Sequence, residues 1–129
     1  MESGLSRVFM RASVIYALLG MALGLHMAAT HDHGQMPTHA HLMLLGWVGM
    51  TIYAVFYRLW PAAAEGRLPK VHCVLAHVTL IAMSVGLYII YSGNMALGEP
   101  IAAISTNVLF LNTALFAWIV WRGTRSSAS

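Results

Sequence analysis

Charged residues are scarce in this sequence: Lys, Arg, Asp and Glu make up 9% of the 129 residues, whereas about 25% is usual in soluble domains. This scarcity excludes an ordinary water-soluble globular domain. The hydrophobic fraction of 59% instead indicates an integral membrane protein. The formal net charge of +3 does not indicate nucleic-acid binding, because the basic residues all fall on one side of the membrane topology derived below.

Cysteine is almost absent as well. The single cysteine, Cys73, cannot form an intrachain disulfide, so a disulfide-stabilised secreted scaffold is excluded. The sequence also lacks internal repeats, low-complexity tracts, a nucleotide-binding loop and a catalytic triad. No nucleophile motif is present, and the sequence leaves open whether the protein is an enzyme.

Long apolar runs are what the sequence does contain. Four of them match the roughly 20 residues that a helix needs to cross a bilayer. The predicted spans are residues 8–30, 38–60, 71–91 and 101–121. Pro37, Pro69 and Pro100 fall just ahead of the second, third and fourth spans, where proline is tolerated. We predict an all-α, integral membrane four-helix bundle that forms a single domain over residues 1–129.

The distribution of basic residues predicts the orientation in the membrane. All seven Lys and Arg residues flank the same side, namely Arg7, Arg11, Arg58, Arg67, Lys70, Arg122 and Arg125. Basic residues are retained on the cytoplasmic side, so both termini should be cytoplasmic in a multi-pass protein of the inner membrane. The alternative interpretation of the first span is a secretory signal with "HMAA" before a cleavage site.

Histidine is abundant, and its distribution along the predicted spans is uneven. Five of the seven histidines are expected at the outer face, namely His26, His31, His33, His39 and His41. His72 and His77 begin the third span on the cytoplasmic side. We expect His72 to lie at the membrane interface and His77 to lie deeper.

His39 and His41 begin the second span in "THAHLMLLGW". A helix turns about 100° per residue, so these side chains point about 200° apart and cannot bind the same ion. The residues that follow on the His39 face suit packing inside a bundle, namely Met43, Gly46, Met50 and Tyr53. The residues that follow on the His41 face are purely aliphatic, namely Leu45, Val48, Ile52 and Val55.

A flat apolar cofactor with a central metal would satisfy both an aliphatic face and the histidine above it. Haem is such a cofactor, and histidine is a common axial ligand. His39 and His41 are therefore the first candidate haem b ligands, and His26 is the next. The alternative is that these histidines hydrogen-bond to a neighbouring helix or reach the interface, although ionisable groups inside a membrane are commonly functional.

The outer loop "HDHGQM" offers a second kind of site. His31 and His33 flank Asp32, and these residue types bind copper or zinc. The same composition also suits a hydrated polar loop without metal. Copper or zinc handling is therefore an alternative function.

The stretch "THAHLMLLGWVGM" resembles the catalytic subunit of haem-copper oxidases, and is most similar to the nitric oxide reductase and cbb-type branches. The resemblance implies that His39 binds a high-spin haem and His41 a low-spin haem on opposite sides of one helix. The family's subunit contains three equivalent groups of four helices, and this chain resembles one such group. The resemblance therefore implies a symmetric homo-oligomer, with a homotrimer favoured.

The sequence departs from the family in lacking an H-P-E-x-Y-type helix and an adjacent His-His pair, which supply the copper ligands. The resemblance therefore implies haem binding and electron transfer near the outer face, with quinol or a periplasmic cytochrome as the donor. Alternatives are metal handling, a terminal oxygen or nitric oxide reductase assembled across subunits, or a structural protein without cofactor. The expected partners are the lipid bilayer and further copies of the chain, and no nucleic acid.

The divergence of His39 and His41 also leads to an expectation about assembly. A single chain has few ways to direct two histidines at one iron. The second span of a neighbouring copy could supply the second ligand, so that each haem is shared between two chains. His26 paired with His39 or His41 within one bundle is the alternative.

Overall fold

The computed structural model describes residues 4–125, which form an antiparallel bundle of four long helices. These are α1 (Gly4–Thr30), α2 (Met36–Leu59), α3 (Leu68–Tyr91) and α4 (Met95–Gly123), and no strand occurs among the described residues. All four are long and apolar enough to cross a membrane. At 24 to 29 residues they measure about 36–44 Å, comparable to a bilayer with its headgroups. The predicted all-α fold with four candidate spans is confirmed.

The start of α4 differs most from the sequence prediction. Asn94 caps this helix by accepting a hydrogen bond from the Leu97 backbone N–H at 3.1 Å, so α4 begins at Met95. Pro100 consequently lies inside α4 rather than ahead of it, which corrects the predicted boundary. Pro37 and Pro69 do lie in the first turns of α2 and α3.

The middle of α2 is a π-helix, which the sequence pattern did not predict. The π-helical segment covers Leu42–Gly49, between α-helical segments at Met36–His41 and Met50–Leu59. π-helical turns are rare and frequently occur at functional sites. This segment begins directly after His41, so the change in helix geometry coincides with the candidate ligands.

The bundle consists of two helix pairs, α1 with α2 and α3 with α4, which meet along its interior. Close backbone approach joins α3 to α4: a Cβ atom on Gly98 would lie 2.6 Å from the Gly86 carbonyl oxygen. Between the pairs, Gly46 of α2 packs on both Tyr16 of α1 and Leu80 of α3. The interior also contains Tyr57, Phe9, Met50 and His72, each of which is at most 2% exposed.

Candidate functional site

His39 lies in the first turns of α2, with its ring against α1. The ring Nδ1 lies 2.7 Å from the Gly20 carbonyl oxygen. A Cβ atom on Gly24 would lie 3.0 Å from His39 Cε1, so glycine at this position makes room for the ring. Because a carbonyl oxygen can only accept, Nδ1 carries a proton, and the lone pair of the neutral ring is on Nε2.

His41 also faces a backbone carbonyl through Nδ1, but this carbonyl belongs to its own helix. Its Nδ1 lies 2.7 Å from the carbonyl oxygen of Pro37, one turn earlier on the same helix. Both His39 and His41 are half-buried. Within residues 4–125, neither Nε2 atom makes a hydrogen bond.

The residues that were predicted to line two faces of α2 differ in their exposure. On the His39 face, Gly46 and Met50 are buried, and Met43 packs on Gly20, where an added Cβ would lie 2.6 Å from Met43 Sδ. Of the residues predicted to follow His41 on its face, three aliphatic side chains are 45–55% exposed, namely Val48, Ile52 and Val55. Helix α2 thus has exposed aliphatic side chains beyond the π-helical segment, whereas His39 belongs to the interior packing of its helix pair.

The remaining outer histidines stay apart from this arrangement. His26, His31 and His33 are exposed, and the Asp32 carboxylate between the last two accepts a hydrogen bond from the Gly34 N–H at 3.0 Å. Among residues 4–125, no group of three or more His, Cys, Asp or Glu side chains is placed to hold a metal ion. The described chain thus does not assemble these histidines into one multi-ligand group.

His72 is fully buried between the helices, with 0% exposure. It lies in the second turn of α3 and faces α2. Its Nδ1 lies 2.9 Å from the Tyr57 hydroxyl. Its ring stacks on Phe116 at a centroid distance of 4.8 Å.

His77, five residues further along α3, also has its Nδ1 beside a tyrosine hydroxyl. Its Nδ1 lies 2.8 Å from the Tyr16 hydroxyl, and the Phe9 ring lies 5.5 Å from the rings of both His72 and His77. From α4, the Asn112 amide donates to the His72 carbonyl at 3.1 Å. We call His72, His77, Tyr16, Tyr57 and Asn112 the buried histidine cluster.

The buried histidine cluster keeps unpaired polar atoms away from solvent. His72 Nε2, His77 Nε2 and Asn112 Oδ1 are buried and have no hydrogen-bond partner within the part of the chain that the structure describes. A tyrosine hydroxyl can donate or accept, so the tautomers of these two histidines are not fixed as those of His39 and His41 are. Buried polar groups of this kind are commonly satisfied by ordered water, which can accept from a ring N–H and donate to Asn112.

Sequence reasoning placed His72 and His77 at the start of the third span but did not find their partners. Tyr16 and Tyr57 are far from His77 and His72 in sequence, and an isolated tyrosine in an apolar span gives no signal of its partner. The available clue was the position of His77 inside a span, because a buried polar group needs a partner.

No protein-family model, curated protein or solved structure matches this chain. The functional assignment therefore depends on the histidine geometry.

Proposed function

We propose that the protein is a membrane-embedded b-type haem protein that transfers electrons near the outer membrane face, with His41 as an axial ligand. The observation that carries the proposal is the 2.7 Å contact from His41 Nδ1 to the Pro37 carbonyl. Metal-binding histidines usually donate their other ring N–H in this way, which fixes the tautomer and orients the ring. The lone pair of His41 Nε2 is thereby available to iron.

The surroundings of His41 fit a haem. A porphyrin needs an apolar wall beside its axial ligand, and the exposed side chains of Val48, Ile52 and Val55 form one on the same helix. Lipid would cover these side chains equally well but would offer no ligand to the imidazole. When bound, haem supplies the one-electron redox chemistry, whereas the chain supplies the ligand and the apolar surface.

The position of His39 supports a haem that is shared between copies. Its ring is held against Gly20 and Gly24 of α1, so it does not turn toward the His41 face. A second copy of α2 is the natural source of the other ligand, and closed symmetry is the usual form of such assemblies. The resemblance to one third of a haem-copper oxidase subunit favours three copies.

Optical spectra of purified variants test the ligands. The wild type should show a haem Soret band and a sharpened alpha band after reduction with dithionite. His41→Ala should lose or loosen the haem, since iron then lacks a strong axial ligand, and His39→Ala should alter the reduced spectrum. The matched control is the His31→Ala/His33→Ala variant, which should retain the wild-type spectrum.

Two results would contradict the haem proposal. Unchanged haem content and spectrum in both His39→Ala and His41→Ala would remove these residues as ligands and make His26 the next candidate. A colourless wild-type protein that contains copper or zinc by elemental analysis would favour metal handling by the outer loop instead.

Native mass and haem content, measured together, test the shared site. A ligand that binds only the assembled state stabilises it, so His41→Ala should lower the oligomer population as well as the haem content. A wild-type monomer with a full complement of six-coordinate haem would eliminate sharing between chains.

A further inference from the structure

A pocket of about 590 Å³ lies at the end of the bundle where α2 ends and α3 begins. The connection between these two helices forms one wall, and the last turns of α4 form the opposite wall. Sites that bind small molecules commonly measure about 300–1,000 Å³, so the pocket is large enough for a ligand. We call it the loop pocket.

Charged side chains of both signs line the loop pocket. Arg67 from the connection and Arg122 from α4 are basic, and Glu65 from the connection is acidic. Within residues 4–125, the Glu65 carboxylate pairs with neither guanidinium group, and none of the three side chains forms a hydrogen bond. An occupant that carries a negative group and a positive group would complement all three.

The start of α3 adds to the positive side of the loop pocket. Arg67 directly precedes the helix and Leu68 begins it, and no side chain caps its first turn. The first backbone N–H groups of a helix have no partner inside the helix, and the helix dipole favours an anion beside them. Arg67 and these N–H groups therefore suit an anion on one wall, and Arg122 supplies a second guanidinium group from the other.

The position of the loop pocket along α4 points to the membrane as the source of its occupant. Helix α4 has 29 residues and measures about 44 Å, so it extends about 7 Å beyond each side of the hydrocarbon core. Arg122, in the last turn, then lies at the level of the lipid headgroups. Trp118 is 52% exposed and lies about 6 Å deeper, at the boundary that tryptophan commonly occupies. An occupant that reaches from Arg122 to Trp118 needs a polar head and an apolar tail.

We propose that the loop pocket binds an aminophospholipid such as phosphatidylethanolamine. The phosphate pairs with Arg67, Arg122 and the first turn of α3, the ammonium group pairs with Glu65, and an acyl chain lies along Trp118. Guanidinium groups bind phosphate through paired hydrogen bonds, and basic pockets between membrane helices bind lipid headgroups. Glu65 would repel a purely anionic headgroup. The proposal is independent of the haem proposal, since no histidine lines the loop pocket.

Lipid binding to the purified full-length protein in detergent tests the proposal, measured by native mass spectrometry with phosphatidylethanolamine, phosphatidylglycerol and phosphatidylcholine. The wild type should prefer phosphatidylethanolamine to both other lipids. Arg122→Gln should weaken its binding on the order of fivefold, because the phosphate loses one basic partner. Glu65→Gln should remove the preference over phosphatidylglycerol, because the ammonium group loses its carboxylate and the anionic lipid is no longer repelled.

The matched controls are Arg11→Gln and Glu99→Gln, which remove the same charges from exposed residues outside the loop pocket and should bind like the wild type. Circular dichroism of each variant establishes that its helices are intact. Effects in the controls equal to those of Arg122→Gln and Glu65→Gln would overturn the site in favour of diffuse charge attraction. Equal binding of the three lipids by the wild type would overturn the aminophospholipid. Full displacement of the lipid by soluble phosphoethanolamine would overturn the role of the acyl chain.

Discussion

At the scale of single residues, the atom that faces each imidazole Nδ1 decides what the histidine can do. His39 and His41 face backbone carbonyls, which leaves one tautomer and a lone pair on Nε2. His72 and His77 face tyrosine hydroxyls, which permit either tautomer. The first arrangement is the one that our haem proposal requires of a ligand, whereas the second joins neighbouring helices.

The bond between Tyr16 and His77 should contribute measurably to stability. Tyr16→Phe leaves His77 Nδ1 without its partner in the interior, and hydrogen bonds between membrane helices contribute about 1 kcal/mol or less. We expect a loss of about 1 kcal/mol in the free energy of unfolding, measured by SDS titration of the reconstituted protein.

Tyr88→Phe is the matched control for this measurement. Tyr88 is 53% exposed, and its hydroxyl makes no hydrogen bond within the described residues. Its substitution should change stability by less than about 0.5 kcal/mol. Equal effects of the two substitutions would show that the bond to His77 contributes nothing specific.

At the scale of helices, the close contact of α3 with α4 depends on two glycines. Gly98 lies against Gly86, where an added Cβ would meet the carbonyl oxygen of the other glycine at 2.6 Å. Small residues at helix contacts allow such approach of backbones inside a membrane. Neither helix can avoid the clash by moving a side chain, since the atom that is met belongs to the backbone.

Gly98→Ala should therefore destabilise the bundle by about 1–3 kcal/mol, the usual cost of overpacking. The measurement is the same SDS titration, with Gly4→Ala as the control, because a Cβ on Gly4 has nothing within 4 Å. A Gly98→Ala variant as stable as Gly4→Ala would contradict this close packing of α3 on α4.

The helices were largely predictable from sequence because each needs only a long apolar run, and the inward face of His39 followed from helical periodicity. What sequence could not supply were contacts between distant residues and departures from ideal helix geometry. The burial of His72 depends on Tyr57, and the π-helical Leu42–Gly49 has no compositional signature. The cap at Asn94 was recognisable in principle, but Pro100 indicated a later start.

At the scale of the whole molecule, the even number of spans places both ends of the described chain at one end of the bundle. All seven basic residues also belong to that end or its connections. We propose that this end is cytoplasmic, because positively charged loops are retained there. The candidate haem ligands then lie near the opposite, outer surface.

Cysteine labelling in intact cells tests this orientation. A cysteine at the exposed position of His33 should react with a membrane-impermeant thiol reagent, and one at the exposed position of Glu65 should not react until the cells are opened. The native Cys73 is buried, so the wild type provides a low background. The opposite labelling pattern would reject the orientation.

The polar contacts between the two helix pairs also bear on how the protein is made. Each pair is a hairpin that can enter the membrane during synthesis, and α1–α2 emerges first. When α3–α4 follows, His72 and His77 arrive in hydrocarbon without partners, a costly state that ends once Tyr57 and Tyr16 are reached. The cost of leaving these imidazoles unpaired therefore favours packing of the second hairpin against the first over its separation in the lipid.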